Sequence, residues 1–412
     1  MKKVICFIFS LMFLCGSLNL TTTWHVIGIY AVYALLALLI TIPITVKKRE
    51  IRVSSNNLVI IYLFLIFCGI SALVNNDFGT IFDTMMFAVL YIVSFIVVPT
   101  LNININKTIF FTALISHLPI LLVPLIVSGF DTTPYSGIFY NPNSLGTVSA
   151  TIFAALLSFV IGKLENFIRN SKEEHYKVRF FMWGSIMLFI FYLVILSASR
   201  TSFISSIMCT IVGIAFLMFY SIKNRKLPTL FIKGSFFSII LAFFIMLLFK
   251  FTTLYDSLYN SIFEKFETRA TDGDMLSNRD QIWKQTISDA GFFGKGNHYF
   301  DNNIQIGAHN TFISMLGQYG WIPVIIFLFF LIIGFSYAVR YSLKNVDDKY
   351  KYLPLMMVIN FFMLSVAEVM TFTLSMLLLF FSLGSTLTKK ELLEEKTTEV
   401  IPQTKKRRKL VW

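Results

Sequence analysis

Apolar residues recur along this chain in runs of about 17 to 25, without the strict alternation that a half-buried strand requires. Runs of that length cross roughly 30 Å of hydrocarbon as helices, which satisfy their own backbone groups there. The pattern predicts spans at about 4–20, 24–46, 58–74, 80–99, 108–128, 144–162, 180–198, 201–221, 229–249 and 321–339. The run 352–388 is too long for one ordinary span and carries Glu368 in its middle. Two short helices, at about 353–366 and 370–387, are expected there. The fold class is therefore all-α integral membrane with about twelve transmembrane helices and one large extracytoplasmic loop containing short helices. Helices one to nine occupy 1–250, the loop 251–310, helices ten to twelve 311–388, and a basic cytoplasmic tail 389–412.

Composition agrees with this division. A chain of 412 residues that is 56% hydrophobic and 14% charged cannot hide its apolar surface in one soluble core, where charged usage near a quarter is normal. The first run follows Lys2 and Lys3 but lacks a small-residue cleavage site, so it is read as a retained helix. Cys6, Cys15, Cys68 and Cys209 all fall inside apolar runs and read as buried small hydrophobes, with neither a disulfide nor a metal framework implied.

Charge sets the expected orientation. With a cytoplasmic amino terminus, most of the 35 Lys and Arg fall in alternate loops and the tail, as the positive-inside bias requires. Eleven spans would turn the run Lys405 to Lys409 outward. The net charge of +13 then lies on the cytoplasmic side, where the tail meets anionic lipid headgroups. No aromatic-interleaved or groove-reading module accompanies the tail, so no nucleic acid partner is expected. Three polar features face outward: 129–143, the junction Ser197 to Thr201, and the long loop. The short connection Asn75-Asn76-Asp77 reads as a plain polar turn.

Several residues on that face have chemistry to offer. Arg200 stands between two apolar runs with almost no loop around it, holding a guanidinium at headgroup depth. It is either a snorkelling anchor or an anion ligand. Arg279 opens a helix predicted to run to about Ser288, near the positive end of its dipole, which favours an anion; a plain pairing with Asp280 or Asp274 is the alternative. His309-Asn310 begins the apolar helix Thr311 to Tyr319, and an imidazole there is either an interfacial hydrogen-bonding group or a general base. Asn141 and Asn143 precede the sixth span as caps or as ligands for sugar hydroxyls. The close glycines Gly291, Gly294 and Gly296 permit a tight turn or close backbone approach, without the strand and helix of a dinucleotide site. His298, His25 and His117 do not assemble a zinc site with His309, so no metal is expected.

The order of these pieces is familiar. Gly137-Ile138-Phe139-Tyr140-Asn141-Pro142-Asn143-Ser144-Leu145-Gly146, Ser197-Ala198-Ser199-Arg200-Thr201, Asn278-Arg279-Asp280-Gln281-Ile282-Trp283, Gly294-Lys295-Gly296 and Ala308-His309-Asn310-Thr311-Phe312 together resemble the O-antigen ligase and O-antigen polymerase superfamily over roughly 130–320. The resemblance implies a donor glycan linked through diphosphate to a polyprenyl carrier, and glycosyl transfer at the outer face of the bacterial cytoplasmic membrane. It implies no nucleotide sugar, cofactor or metal. Arg200 and Arg279 would bind the diphosphate and stabilise the leaving group, and His309 would position or deprotonate the acceptor hydroxyl. Asn141, Asn143 and Asn310 would orient sugar or phosphate groups, and Arg269, Gly294 and Gly296 complete the expected substrate-binding set. Expected partners are membrane lipids, a chain-length regulator and a flippase. The function expected is polymerisation of lipid-linked repeat units into O-antigen, capsular or exopolysaccharide. A ligase moving finished glycan to a lipid or wall acceptor is the alternative within the family. A polysaccharide or anion transporter is the alternative outside it, and would call for charges along a pathway and two related halves.

Overall fold

Among the described residues helices form where the chain is continuously apolar, and they end where polar or turn-forming residues return. A computed structural model describes residues 2–21, 23–45, 55–101, 103–129, 134–169, 176–223, 279–345 and 348–386, with 246, 259 and 267 as isolated residues. The expected ninth span at 229–249, the loop before Arg279 with Arg269 in it, and the tail 389–412 lie outside the described residues. The described helices are α1 (Lys2–Leu18), α2 (His25–Thr45), α3 (Ser55–Val74), α4 (Phe78–Thr100, with a π-helical stretch at Val93–Val97), α5 (Ile105–Ser128), α6 (Pro142–Arg169), α7 (Tyr176–Leu196), α8 (Arg200–Lys223), α9 (Arg279–Asp289), α10 (Thr311–Tyr319), α11 (Trp321–Lys344), α12 (Leu353–Ser365) and α13 (Leu374–Thr386). Among the described residues the only β-type pairing is a bridge between Thr21 and Phe139.

The protein is an integral membrane protein. Among the described residues five helices, α4, α5, α6, α8 and α11, are long and apolar enough to cross a membrane, and shorter apolar helices accompany them. The expected break around Glu368 is present: α12 and α13 are two short helices joined by residues 366–373. Both are almost wholly buried, with Leu353, Phe361, Leu364, Phe380 and Phe381 inaccessible to solvent. Around this hairpin, α1 packs through Phe9 and Phe13 onto Phe381, and α4 and α11 pack through Tyr91 and Phe330 onto Phe380.

Hydrogen bonds sort the connections into two ends. At one, Tyr140 donates its amide to Leu20, Tyr135 to Leu196 and Asn297 to Asp77, and Asn143 reaches Glu368. At the other, Lys351 meets Glu165 at 2.7 Å, Tyr352 donates to the same carboxylate at 2.5 Å, and Asn106 joins Tyr341 and Ser385. Twenty-two positions of α6 separate Asn143 from Glu165, about 33 Å of helix at ~1.5 Å each, which is one membrane thickness.

α6 is the central helix, its apolar stretch entirely covered by protein. It can be, because small residues line it and neighbouring backbones come close, as in other membrane helix interfaces. A Cβ at Gly146 would lie 2.6 Å from the Ser199 Cβ, and one at Gly162 would lie 2.2 Å from the Lys349 carbonyl oxygen. Gly162→Ala should therefore destabilise the protein by about 1–3 kcal/mol through overpacking against an unyielding carbonyl. Gly69→Ala, with nothing within 4 Å of the new methyl, should cost nothing. Thermal unfolding of the detergent-solubilised variants compares them, and equal losses would contradict the packing described.

Candidate active site

The break between α12 and α13 exposes three consecutive carbonyls, and each is taken by a side chain from 279–311. Asn310 Nδ2 donates to Val366 O at 2.8 Å, Arg279 Nη1 to Ala367 O at 2.7 Å, and Thr311 Oγ1 to Glu368 O at 2.9 Å. Thr311 Oγ1 also accepts the Met370 amide at 2.9 Å. Asn310 is at the same time the N-cap of α10, its Oδ1 accepting from Phe312 and Ile313 at 2.8 and 3.1 Å.

The Glu368 side chain is where four elements meet. Asn143, on the first turn of α6, donates Nδ2 to Oε1 at 3.1 Å. Arg279, first residue of α9, brings Nη2 to 3.8 Å from Oε1, and His309 brings Nδ1 to 3.6 Å from Oε2. The carboxylate is 16% exposed and the imidazole 44%, so the histidine edge is the open side of the cluster. His309 has φ 45°, a left-handed backbone uncommon for a residue with a side chain.

Arg200 begins α8 directly after the turn Ser197-Ala198-Ser199, in which Ala198 has φ 52°. That turn packs on Gly146 in the first turns of α6, so Arg200 belongs to the same end as Asn143. Asn141 caps α6, accepting from the Ser144 amide at 2.8 Å and its hydroxyl at 3.0 Å, with Pro142 in the first helical position.

Gly294 and Gly296 stand at the other end of α10, about 12 Å along its axis from Asn310. Both have positive φ, 67° and 87°. A Cβ at Gly294 would meet Gln318 O at 2.4 Å, and one at Gly296 would meet the Asp77 carboxylate at 2.6 Å. Lys295 and Gly296 donate their amides to Gly317 and Gln318, and Gln318 Nε2 donates to Asn297 Oδ1 at 2.9 Å. The connection Asn75-Asn76-Asp77 is thus more than the plain turn its sequence suggested. Asp77 accepts from the Asn297 amide, and Asn75 Nδ2 donates to Phe293 O at 3.0 Å, so it is the seat on which the loop rests.

Glu368 was not among the expected site residues; the sequence reading placed it at a break between helices and as an intramembrane charge that a transporter would call for. Its signal was an ionisable group inside an apolar run. The assembled chemistry suits a charged, hydroxylated ligand: guanidinium donors for an anion, an accessible imidazole, and carboxamides. Among the described residues no three His, Cys, Asp or Glu side chains gather as a metal site would require.

Residues 185–329 match the family described as O-antigen ligase. The match supports the O-antigen ligase and polymerase superfamily that the motif order resembles. It also supports a membrane function of ligase or polymerase type, in a family of membrane glycosyltransferase-type enzymes that act on lipid-linked glycans. The matched segment contains Arg200, Arg279, His309, Asn310, Gly294 and Gly296, while Asn143 and Glu368 lie outside it. No curated protein matches the sequence.

Asp77 makes the loop's seat sensitive to acid. Burial would raise its carboxyl, but hydrogen bonds from the Thr80 hydroxyl and from the Asn297, Gly79 and Thr80 amides outweigh it and hold the group below its ordinary 3.8. A lowered value means that this contribution to stability is complete above the ordinary carboxylate range and is lost as pH falls through the lowered one. Asp77→Asn should cost roughly 1–3 kcal/mol near neutral pH by leaving amides without a carboxylate. The gap between wild type and variant should begin to narrow below about pH 4 and close as pH falls through the lowered value. Thermal unfolding at several pH values checks this, and a gap independent of pH would contradict it.

Proposed function

We propose that the protein joins polyprenyl-diphosphate-linked oligosaccharide repeat units into an O-antigen, capsular or related exopolysaccharide, at the outer face of the cytoplasmic membrane. The observation that supports this reading is the meeting of Arg279, His309 and Asn143 on one turn at one end of the bundle, with Arg200 at the same end. A polyprenyl tail lies among lipids with its diphosphate at headgroup level, so its catalyst needs cations at that depth. The axial span of α6 supports that depth for Asn143 and its partners.

In the reaction, the acceptor hydroxyl oxygen forms a bond to the anomeric carbon of the donor while its proton passes to the His309 imidazole. The bond from that carbon to the diphosphate oxygen breaks, and its electron pair leaves with the polyprenyl diphosphate. Arg279 and Arg200 face the charge that grows on this leaving group, where preorganised donors act most strongly. Arg279 is steadied by the bond from Nη1 to Ala367, leaving Nη2 directed to the cluster. With substrate seated on the open histidine edge, glycan and the α9 loop together displace water there, so that a sugar hydroxyl rather than hydrolysis captures the donor. A flippase would supply lipid-linked units on this face, and a chain-length regulator would set when extension stops.

The family description favours a second reading, a ligase that transfers finished glycan to a lipid or wall acceptor with the same donor chemistry. The test supplies purified protein with a polyprenyl-diphosphate-linked repeat unit and follows the products on a gel. A ladder of lengthened glycans is expected, reduced about 100-fold or more by Arg200→Ala, Arg279→Ala or His309→Ala. A ladder that survives all three would contradict the site, and a single transfer of a preformed chain to a second lipid would favour the ligase.

A further inference from the structure

We propose that Glu368 is the positioning carboxylate of His309: it faces the Nδ1–H as acceptor, keeps the proton on that nitrogen, and so directs the Nε2 lone pair to the acceptor hydroxyl. The role of Nε2 rests on the glycosyl-transfer reading. The pairing itself rests on geometry.

The two oxygens of Glu368 are divided between partners. Asn143 and Arg279 face Oε1, which leaves Oε2 to His309 Nδ1. At 3.6 Å this is an electrostatic contact rather than a hydrogen bond, and such contacts tighten in catalytic complexes. The backbones bearing the pair are clamped together. Residues 310 and 311, directly after His309, donate to the carbonyls of Val366 and Glu368. The clamp also holds His309 at φ 45°, a conformation that costs free energy and persists where surrounding bonds enforce it. A carboxylate only accepts, so the imidazole nitrogen beside it carries the hydrogen and the other one is basic. The imidazolium formed on proton uptake is then stabilised by the adjacent carboxylate, as in hydrolytic triads. The competing role for Glu368 is that of a counter-ion to Arg279 alone.

Two measurements separate these. In protein labelled with ¹⁵N-histidine, with the His309 signal identified by its loss in His309→Gln, the neutral imidazole should carry its proton on Nδ1. Glu368→Ala should abolish that preference and Arg279→Ala should leave it in place. A wild-type imidazole protonated on Nε2 would overturn the proposal without any variant. In the transfer assay, Glu368→Gln should lower kcat about 100-fold with donor KM within about two-fold, and should add nothing in a His309→Ala background. A loss confined to KM, or one fully additive with His309→Ala, would also overturn it. Absence of any transfer by the wild type would count against the glycosyl-transfer reading instead, and the tautomer measurement would still decide the role of Glu368.

Discussion

A helical hairpin buried in a membrane bundle must find partners for the backbone it leaves exposed at its turn, and that constraint organises one end of this protein. α12 and α13 are almost wholly covered by protein, and the turn between them leaves the carbonyls of Val366, Ala367 and Glu368 without helical partners of their own. Asn310, Arg279 and Thr311 satisfy them, one each. The residues that complete the fold at this turn are therefore neighbours of those proposed to act on substrate. Arg279 belongs to both groups, with Nη1 on Ala367 O and Nη2 toward Glu368.

The second support is the short helix α10, held at both ends. Its first residues grip the α12–α13 turn, and its last turn receives the glycine segment 294–296, which in turn rests on Asp77. A bracket of this kind fixes His309 relative to α3, α4, α12 and α13 together. α6 supplies the third side, bringing Asn143 up to Glu368 while Glu165 holds Lys351 and Tyr352 at the opposite end. Small residues let α6 run through the centre, with a hydrogen bond from Asn143 to Glu368 at one end and the Glu165–Lys351 ion pair at the other.

Much of this was legible in the sequence because apolar run length is a strong signal in a membrane protein. The break at Glu368, the helix Thr311–Tyr319 opening after His309-Asn310, and the start of α6 after Asn141 all follow from local residue types. What was hidden depends on contacts distant in sequence. Nothing near Asp77 says that residues 293–297 will dock there, since the partners are 220 positions apart. Glu368 read as a breaker because its partners Asn143, Arg279 and His309 come from three other parts of the chain. Gly294 and Gly296, expected among substrate ligands, have in the fold a demand of their own, since neither position accommodates a Cβ.

The central claim is that one turn gathers a guanidinium, an imidazole and a carboxamide, with Arg200 at the same end, to receive a lipid diphosphate. It is tested most directly by a cryo-electron microscopy map of the protein with a bound polyprenyl diphosphate. The account predicts diphosphate density beside Arg279 Nη2 and within reach of Arg200, with the lipid tail leaving sideways between helices. Density for the diphosphate away from the Glu368 turn, with Arg279 still closed on Ala367 and Glu368, would contradict it.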